Sequence, residues 1–207
     1  MGTDDLFKKR GINLKRKIAQ RLVKKRILIV CEGEKTEPNY FKSFRITSAD
    51  IIGKGFNTES LVNFAKEQEE KAKEEKIPYD QIWCVFDKDS FSKTKFNTAI
   101  QQAETYGFKI AYSNECFELW YLLHFEYITS ALTREQYNKK LTKLLKEEYK
   151  KNSMDMYDVL LPKQKQAIRN AKKLLKNFSN NSFAEYNPST TVYLLVEELN
   201  KLKSIPI

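Results

Sequence analysis

The sequence predicts an α/β fold in which a mostly parallel sheet is flanked by helices and followed by a helical C-terminal region. Short apolar runs typical of buried strands alternate with helical patterns through residue 125, which favours a doubly wound parallel sheet. No strand pattern follows Thr133, and 207 residues suffice for one core rather than two independent domains. We therefore predict a basic arm over residues 1–25, an α/β core over 26–130 and a helical region over 131–207 that packs on the core.

The chain is organised around a predicted central strand at Ile27–Cys31. This run is apolar, rich in β-branched residues and bounded by Gly33, as expected for a strand covered on both faces. Gly33 permits a tight turn, Thr36 is a suitable helix cap and Pro38 suits a first helical turn. Three acids lie in this turn, at the carboxyl end of a strand, where open α/β sheets bind ligands: Glu32, Glu34 and Glu37.

The remaining elements follow from apolar periodicity. Further strands are predicted at Ile51–Ile52, Gln81–Phe86 and Phe108–Tyr112. Helices are predicted at Glu59–Glu75, before Gly107, around Phe117–Leu123, at Arg134–Lys151, from Pro162 onward and after Asn187–Thr191. The chain thus alternates strand and helix first and is helical afterwards.

The net charge of +10 is concentrated at the N-terminus, because the first 26 residues hold ten Lys or Arg against two Asp. Such an arm binds phosphates without reading sequence, so we predict nucleic-acid contact; a solvated tail or an acidic protein partner would explain it equally well. A second cationic stripe is predicted on the helix after Pro162, where a solvated face is the alternative to nucleic-acid contact: Lys165, Arg169, Lys172 and Lys176.

Cysteine usage and hydropathy narrow the class of protein. The three cysteines show no CxxC spacing, so buried thiols are predicted rather than disulfides or a zinc site. No apolar run approaches the roughly 20 residues of a membrane span, and the N-terminus lacks the apolar core of a signal peptide. We therefore predict a cytoplasmic protein with no membrane partner.

Two aspartates leave the third predicted strand together. Asp87 and Asp89 are two residues apart, so an extended backbone would point both side chains the same way. If this strand lies beside Ile27–Cys31, the pair and Glu32 open into one crevice. Carboxylate oxygens suit Mg²⁺ or Mn²⁺, and a cation would relieve their mutual repulsion. The alternative is an ordinary aspartate turn.

Four blocks of the sequence are specific in combination: Ile29–Phe41, Asp87–Asp89, Ser113–Trp120 with His124, and Asn187–Val192. Together they resemble the RloB-like family, which includes the AbiLii abortive-infection proteins, over nearly the whole chain. The resemblance implies a Toprim-like (Rossmann-like) domain, the metal-binding module of topoisomerases, bacterial primases and OLD-type nucleases. By the family's motif, Glu32 matches the Toprim glutamate, and Asp87 with Asp89 matches the metal-binding pair. Glu115 departs from the pattern, where proline or a small residue is expected.

Further candidates surround these carboxylates. Glu118 interrupts an apolar segment and could reach the crevice, although pairing with a base would also explain it. His124 is an additional site candidate, although a hydrogen-bonded structural histidine is the favoured interpretation. Candidate phosphate ligands, each with a solvated or helix-capping alternative, are Lys35, Lys88, Ser189 and Thr190.

The leading hypothesis is a Mg²⁺-dependent nuclease that cleaves DNA or RNA by metal-assisted hydrolysis. The resemblance further implies an effector in anti-phage defence, controlled by an ABC/AAA-type ATPase partner. One alternative is a non-catalytic regulatory or adaptor subunit. Another is a haloacid-dehalogenase-like phosphatase with Asp87 as nucleophile, although Phe91 stands where such enzymes need Thr or Val.

Overall fold

The computed structural model describes residues 25–88, 92–178 and 183–203. A five-stranded sheet forms its centre, with strand order β2-β1-β3-β4-β5. The first four strands are parallel and β5 is antiparallel to β4. The strands are β1 (Ile27–Cys31), β2 (Ala49–Gly53), β3 (Gln81–Asp87), β4 (Lys109–Asn114) and β5 (Ser189–Thr190). The predicted fold class, a mostly parallel sheet with flanking helices, is confirmed.

Eight α-helices surround the sheet in the described part of the chain. They are α1 (Thr36–Lys42), α2 (Thr58–Glu74), α3 (Lys93–Thr105), α4 (Glu118–Leu122), α5 (Arg134–Leu145), α6 (Met156–Leu160), α7 (Gln164–Leu175) and α8 (Val192–Lys203). Short 3-10 turns cover Leu161–Lys163 and Phe183–Glu185. No described helix has the length and hydropathy needed to cross a bilayer.

The two faces of the sheet carry separate cores because side chains alternate along each strand. In β1, Leu28 and Val30 pack with α2 and α3 on one face. Ile27 and Ile29 pack on the other face, in a larger core that includes α1 and extends through α4 to α8. The C-terminal helices therefore complete one face of the sheet instead of forming a core of their own.

The helical region differs from the sequence prediction in two places. The helix from Arg134 ends at Leu145 rather than Lys151, because Lys146 adopts a left-handed conformation (φ 61°) that closes α5. A strand also follows Thr133, contrary to expectation, since Ser189 and Thr190 pair with β4 as β5. A two-residue strand has no apolar periodicity of its own and is defined only by its partner.

The predicted basic arm falls almost wholly outside the described residues, which begin at Lys25. Beyond it, Arg26 is fixed at the amino end of β1. Its guanidinium lies 2.8 Å from a carboxylate oxygen of Asp50 and 4.0 Å from the centre of the Tyr79 ring. The arm therefore joins the sheet at the amino end of β1, and the acidic turn that follows Cys31 lies at the carboxyl end of the same strand.

The three cysteines are buried free thiols, as predicted. Burial raises the pKa of Cys31, Cys84 and Cys116, so each stays protonated at neutral pH. Glu118 and Asp87 add to this effect at Cys116, which places that thiol close to two of the candidate carboxylates.

Candidate functional site

The strand that precedes Glu32 and the strand that ends at Asp87 lie side by side, which is the arrangement that the shared crevice requires. Cys31 is opposite Val85 in the parallel register of β1 and β3, and the Glu32 amide donates to the Val85 carbonyl at 2.9 Å. The Glu32 side chain turns toward β3, where Oε2 accepts a 3.0 Å hydrogen bond from the Asp87 amide. The two acidic turns therefore meet at the carboxyl edge of the sheet.

A cavity of about 510 Å³ opens at this edge. Several segments of the chain meet at this cavity and contribute four acids and three bases to its lining. The lining residues are Glu32, Gly33, Glu34, Lys35, Thr36, Glu37, Gly55, Phe56, Asp87, Phe117, Glu118, Arg134, Lys151 and Asn152, with Glu34 an additional, exposed acid at the entrance.

The surroundings of Asp87 strongly raise the pKa of its carboxyl group. Its carboxylate is largely buried, and Oδ2 accepts a 3.1 Å hydrogen bond from the Phe117 amide. Burial raises the pKa of Asp87 well above its usual value, and the charges of Glu37, Glu118 and Glu32 raise it further. Like charges thus gather around a carboxylate that has little water to screen them.

Glu37 is a buried member of the carboxylate cluster. Its side chain is 7% exposed, and burial, followed by the charge of Glu118, raises its pKa. The carboxylate lies against the Gly33 backbone, where an added Cβ would be 2.1 Å from Glu37 Oε2. A side chain at position 33 would therefore displace the Glu37 carboxylate from its place in the cluster.

A second glycine brings the acidic turn close to β2. A Cβ on Gly53 would lie 2.2 Å from the Gly33 carbonyl oxygen and 2.6 Å from Pro38 Cγ. No side chain fits between these groups, so the β1–α1 turn rests directly on the end of β2. This contact fixes the backbone that carries Glu32 and Glu37.

Glu118 reaches the cavity from the first residue of α4 and is 2% exposed. Its Oε1 accepts a 3.1 Å hydrogen bond from the Tyr149 hydroxyl. Burial raises the pKa of Tyr149, and the Glu118 charge raises it further, so the tyrosine remains a donor. The alternative interpretation of the sequence paired Glu118 with a basic side chain. In the structure a neutral hydroxyl, that of Tyr149, donates to it.

Three basic side chains border the acids. Arg134 begins α5, and its Nη2 lies 3.9 Å from Asp87 Oδ2. Lys151 follows α5 in a loop and Lys35 precedes α1; both line the cavity and are exposed. The neighbouring Asn152 holds the loop to α1, because its Oδ1 accepts from the Thr36 hydroxyl at 2.8 Å and its carbonyl accepts from Asn39 Nδ2 at 3.1 Å.

A family model for RloB-like proteins matches residues 27–199. The chain belongs to the RloB-like family. Comparisons with curated proteins and with solved structures found no match. The matched range spans β1 to α8, so the cavity and all its lining residues lie inside the part of the chain that defines an RloB-like protein.

The donor set of this RloB-like protein consists of carboxylates. Within residues 25–88, 92–178 and 183–203, no three His, Cys, Asp or Glu side chains are grouped closely enough to hold a metal ion together. Asp89, the predicted partner of Asp87, lies outside the described residues. The donor chemistry still suits Mg²⁺ or Mn²⁺, which can bind through one or two carboxylates while keeping several waters. Such a cation would relieve the repulsion from neighbouring acids that adds to the effect of burial on the pKa of Asp87.

Other predicted site residues of the RloB-like chain lie away from the cavity. His124 is fully buried, its Nδ1 lies 2.9 Å from the Trp120 carbonyl oxygen, and burial lowers its pKa to about 4. The Lys88 amide donates to Ser113 across the sheet, and its side chain is not among those that line the cavity. Glu115, also near the end of β4, does not line it either.

Ser189 and Thr190 form β5 and do not start a helix. Both are fully buried, and Thr190 Oγ1 donates to the Tyr112 carbonyl at 2.8 Å. Ser189 Oγ lies 3.2 Å from the Tyr112 hydroxyl. A phosphate would reach these hydroxyls only if those contacts broke, so the geometry disfavours the phosphate-binding prediction. The Thr36 cap is also corrected: Lys35 is the N-cap of α1 and forms no side-chain cap bond.

Three members of the predicted cationic stripe, Lys165, Arg169 and Lys172, are exposed on α7, and the fourth, Lys176, is exposed at its C-cap. Lys172 Nζ contacts Glu197 of α8 at 2.6 Å, so one of these charges is already paired. None of them lines the acidic cavity. If α7 contacts nucleic acid, it does so outside the cavity.

Sequence reasoning missed four residues of the helical region that contribute to the site. Arg134, Lys151 and Asn152 line the cavity, and the Tyr149 hydroxyl donates to Glu118 in its wall. Arg134, Tyr149 and Asn152 each meet a partner more than 30 residues away in the sequence. The basic spacing of this segment resembles an ordinary solvated helix, so no local signal identified them.

Proposed function

We propose that this RloB-like protein is a metal-dependent nuclease of the Toprim type that hydrolyses phosphodiester bonds in DNA or RNA. The observation that carries the proposal is the convergence of four carboxylates on one cavity, together with bases around it. A fold gains nothing from gathering Glu32, Glu37, Asp87 and Glu118, because each added charge opposes burial of the others. Such an arrangement is typical of functional sites.

The acids of the cavity would have two roles, which are to hold the metal ion and to accept a proton from the attacking water. Glu32 and Asp87, with Asp89 where the family motif places it, would hold Mg²⁺ or Mn²⁺. When bound, the metal would supply an activated water and neutralise charge on the phosphate. Glu32 is oriented by the Asp87 amide, and Glu118 by Tyr149. Either carboxylate can accept a proton from the attacking water, because each is held at the cavity wall in one orientation.

The test is a cleavage assay with labelled DNA and RNA in Mg²⁺ or Mn²⁺, using the chain alone and with the predicted ATPase partner. Asp87→Asn and Glu32→Gln should each lower the cleavage rate by at least about 10²-fold, and EDTA should abolish cleavage. Glu147→Gln is the matched control, since Glu147 is exposed and lies outside the cavity. Cleavage that survives both cavity substitutions would refute the proposed site.

The same assay separates the alternatives. An adaptor subunit would bind nucleic acid or the ATPase with the same affinity in wild type and Asp87→Asn, and neither would cut. A haloacid-dehalogenase-like phosphatase would hydrolyse phosphate monoesters and leave internal phosphodiesters intact. Its acid/base would be Asp89, which lies outside the described residues, so that hypothesis stays a prediction.

The biological setting rests on the family resemblance. We propose that the nuclease acts as an effector of anti-phage or abortive-infection defence under the control of an ABC/AAA-type ATPase. Expression of the wild-type chain with its partner should protect cells from phage or arrest infected cells, and Asp87→Asn should remove that effect while the protein still accumulates.

A further inference from the structure

The acids and bases of the cavity come from different parts of the chain. Glu32, Glu37 and Asp87 belong to turns at the ends of β1 and β3, whereas Arg134 and Lys151 belong to the helical region. The helical region thus places positive charge against a negatively charged sheet edge. Neither the fold class nor the proposed metal chemistry assigns a role to these two bases.

The loop that carries Lys151 is fixed on both sides. On one side, Tyr149 is 9% exposed and its hydroxyl donates to Glu118 inside the cavity. On the other, Asn152 bonds to Thr36 and Asn39 of α1. Two residues separate these anchors in sequence, so Lys151 has little freedom to leave the cavity entrance although its side chain is exposed.

Arg134 faces the same space from the first turn of α5. Its side chain is 39% exposed, and Nη2 lies 3.9 Å from Asp87 Oδ2, at the outer limit of an ion pair. The positive charges of Lys151 and Arg134 both lower the pKa of Glu37, against the larger effect of its burial. The two positive charges therefore affect the ionisation of a carboxylate inside the cavity, although both side chains are also accessible to solvent.

We propose that Lys151 and Arg134 form a phosphate clamp that binds the backbone of the nucleic acid and positions the reacting phosphodiester against the carboxylates. This inference rests on the proposed function, because it concerns the same cavity. A guanidinium offers paired donors to phosphate oxygens, and a lysine supplies a point charge. The acids repel the same phosphates, so a substrate needs bases at the entrance in order to approach them.

The first test measures binding without cleavage. Lys151→Glu is compared with Lys150→Glu, which makes the same charge change at an adjacent exposed residue that does not line the cavity. The probe is a fluorescein-labelled 30-nucleotide DNA or RNA, followed by anisotropy in EDTA over a salt series. Lys151→Glu should weaken binding about tenfold and lower the salt slope by about one, and Lys150→Glu should do neither.

Two further variants test the anchoring of the loop. Asn152→Gly preserves the left-handed backbone at this residue (φ 72°) and removes the bond to Thr36. It should raise KM about twofold to tenfold with a smaller change in kcat. Lys151→Arg keeps the charge and should restore most of the affinity that Lys151→Glu loses. Thermal melts of the Lys150 and Lys151 variants should match wild type, because both residues are exposed.

The outcomes separate this inference from the proposed function. Equal binding and equal KM for Lys151→Glu and Lys150→Glu would overturn the clamp, even if cleavage depends on Asp87. A selective loss of binding by Lys151→Glu in a chain that never cuts would support the clamp and refute the nuclease. Normal oligonucleotide binding with loss of an acidic protein partner would also overturn it.

Discussion

Two polar clusters lie at the same edge of the sheet and are built in opposite ways. At the end of β4 and β5, a hydroxyl cluster is fully buried and closes on itself, through contacts such as Ser113 Oγ to Thr190 Oγ1 at 3.2 Å. At the end of β1 and β3, a carboxylate cluster opens into the cavity, where burial and the charges of neighbouring acids raise the pKa of Asp87 and of Glu37. The hydroxyl cluster comprises Ser113, Asn114, Ser189 and Thr190; the carboxylate cluster comprises Glu32, Glu37, Asp87 and Glu118.

The difference teaches how to separate a structural polar residue from a functional one. In the hydroxyl cluster, Asn114 donates to the Ala184 and Tyr186 carbonyls and Thr190 donates to the Tyr112 carbonyl. These hydrogen bonds stabilise the fold. In the carboxylate cluster, the acids repel one another, and the bases Lys35, Arg134 and Lys151 line the same cavity. Because repulsion among buried carboxylates opposes folding, such a cluster is typical of a functional site.

The largest stability effect is expected in the hydroxyl cluster. Thr190→Val keeps the shape of the side chain but removes a donor to the Tyr112 carbonyl and an acceptor for the Val192 amide. The Tyr112 carbonyl keeps the Thr191 amide as a donor, but the buried Val192 amide loses its acceptor, which should cost about 1–3 kcal/mol of unfolding free energy. Chemical denaturation measures this loss, and the cleavage rate per folded molecule should not change.

Thr47→Val is the control, since Thr47 is exposed and its substitution should change the unfolding free energy by less than about 0.5 kcal/mol. A Thr190→Val protein that is as stable as wild type but defective in nucleic-acid binding would contradict the comparison. It would return Thr190 to the phosphate-binding role that its sequence context suggested.

The meeting of Glu32 and Asp87 could be predicted from the sequence because the pattern that places each acid is local. An apolar run followed by acids places those acids at a strand's carboxyl end, and parallel pairing of β1 with β3 then brings Glu32 and Asp87 together. The convergence needed only strand positions and the rule for parallel sheets.

The other half of the site depends on contacts that no local pattern encodes. Asn152 meets Thr36 across 116 residues, and Tyr149 meets Glu118 across 31. β5 is two residues long and exists only through its pairing with β4. Capping preference placed Ser189 and Thr190 at a helix start, since the same residue types favour both caps and buried hydroxyl networks.

A stability effect of opposite sign is expected in the carboxylate cluster. The folded pKa of Asp87 lies above that of the unfolded chain, so the native state binds more protons and wild-type stability falls as pH rises from about 4 toward the folded pKa. Asp87→Asn should remove this fall. Without metal it should be as stable as wild type near pH 4 and more stable at pH 8, by about 1.4 kcal/mol per unit of pKa shift.

Denaturation at several pH values in EDTA measures this difference, and Glu135→Gln is the contrasting variant. Lys139 lowers the pKa of Glu135, so its stabilising effect is present at neutral pH and is lost as pH falls. A loss of about 3–5 kcal/mol in Asp87→Asn at pH 8 would show that Asp87 and Arg134 form a structural ion pair. The carboxylate cluster would then resemble the hydroxyl cluster.

The smallest effect concerns α7, a third polar surface that belongs to neither cluster. Lys165 is exposed on this helix, so Lys165→Gln should leave the unfolding free energy within about 0.5 kcal/mol of wild type. If α7 contacts the nucleic-acid backbone, the salt slope of oligonucleotide binding should fall by about one, because one fewer phosphate is neutralised. Lys71→Gln removes the same charge from an exposed position on α2 and should leave the slope unchanged. Equal slopes for the two variants would reduce α7 to a solvated helix face and leave nucleic-acid contact to the cavity and the basic arm.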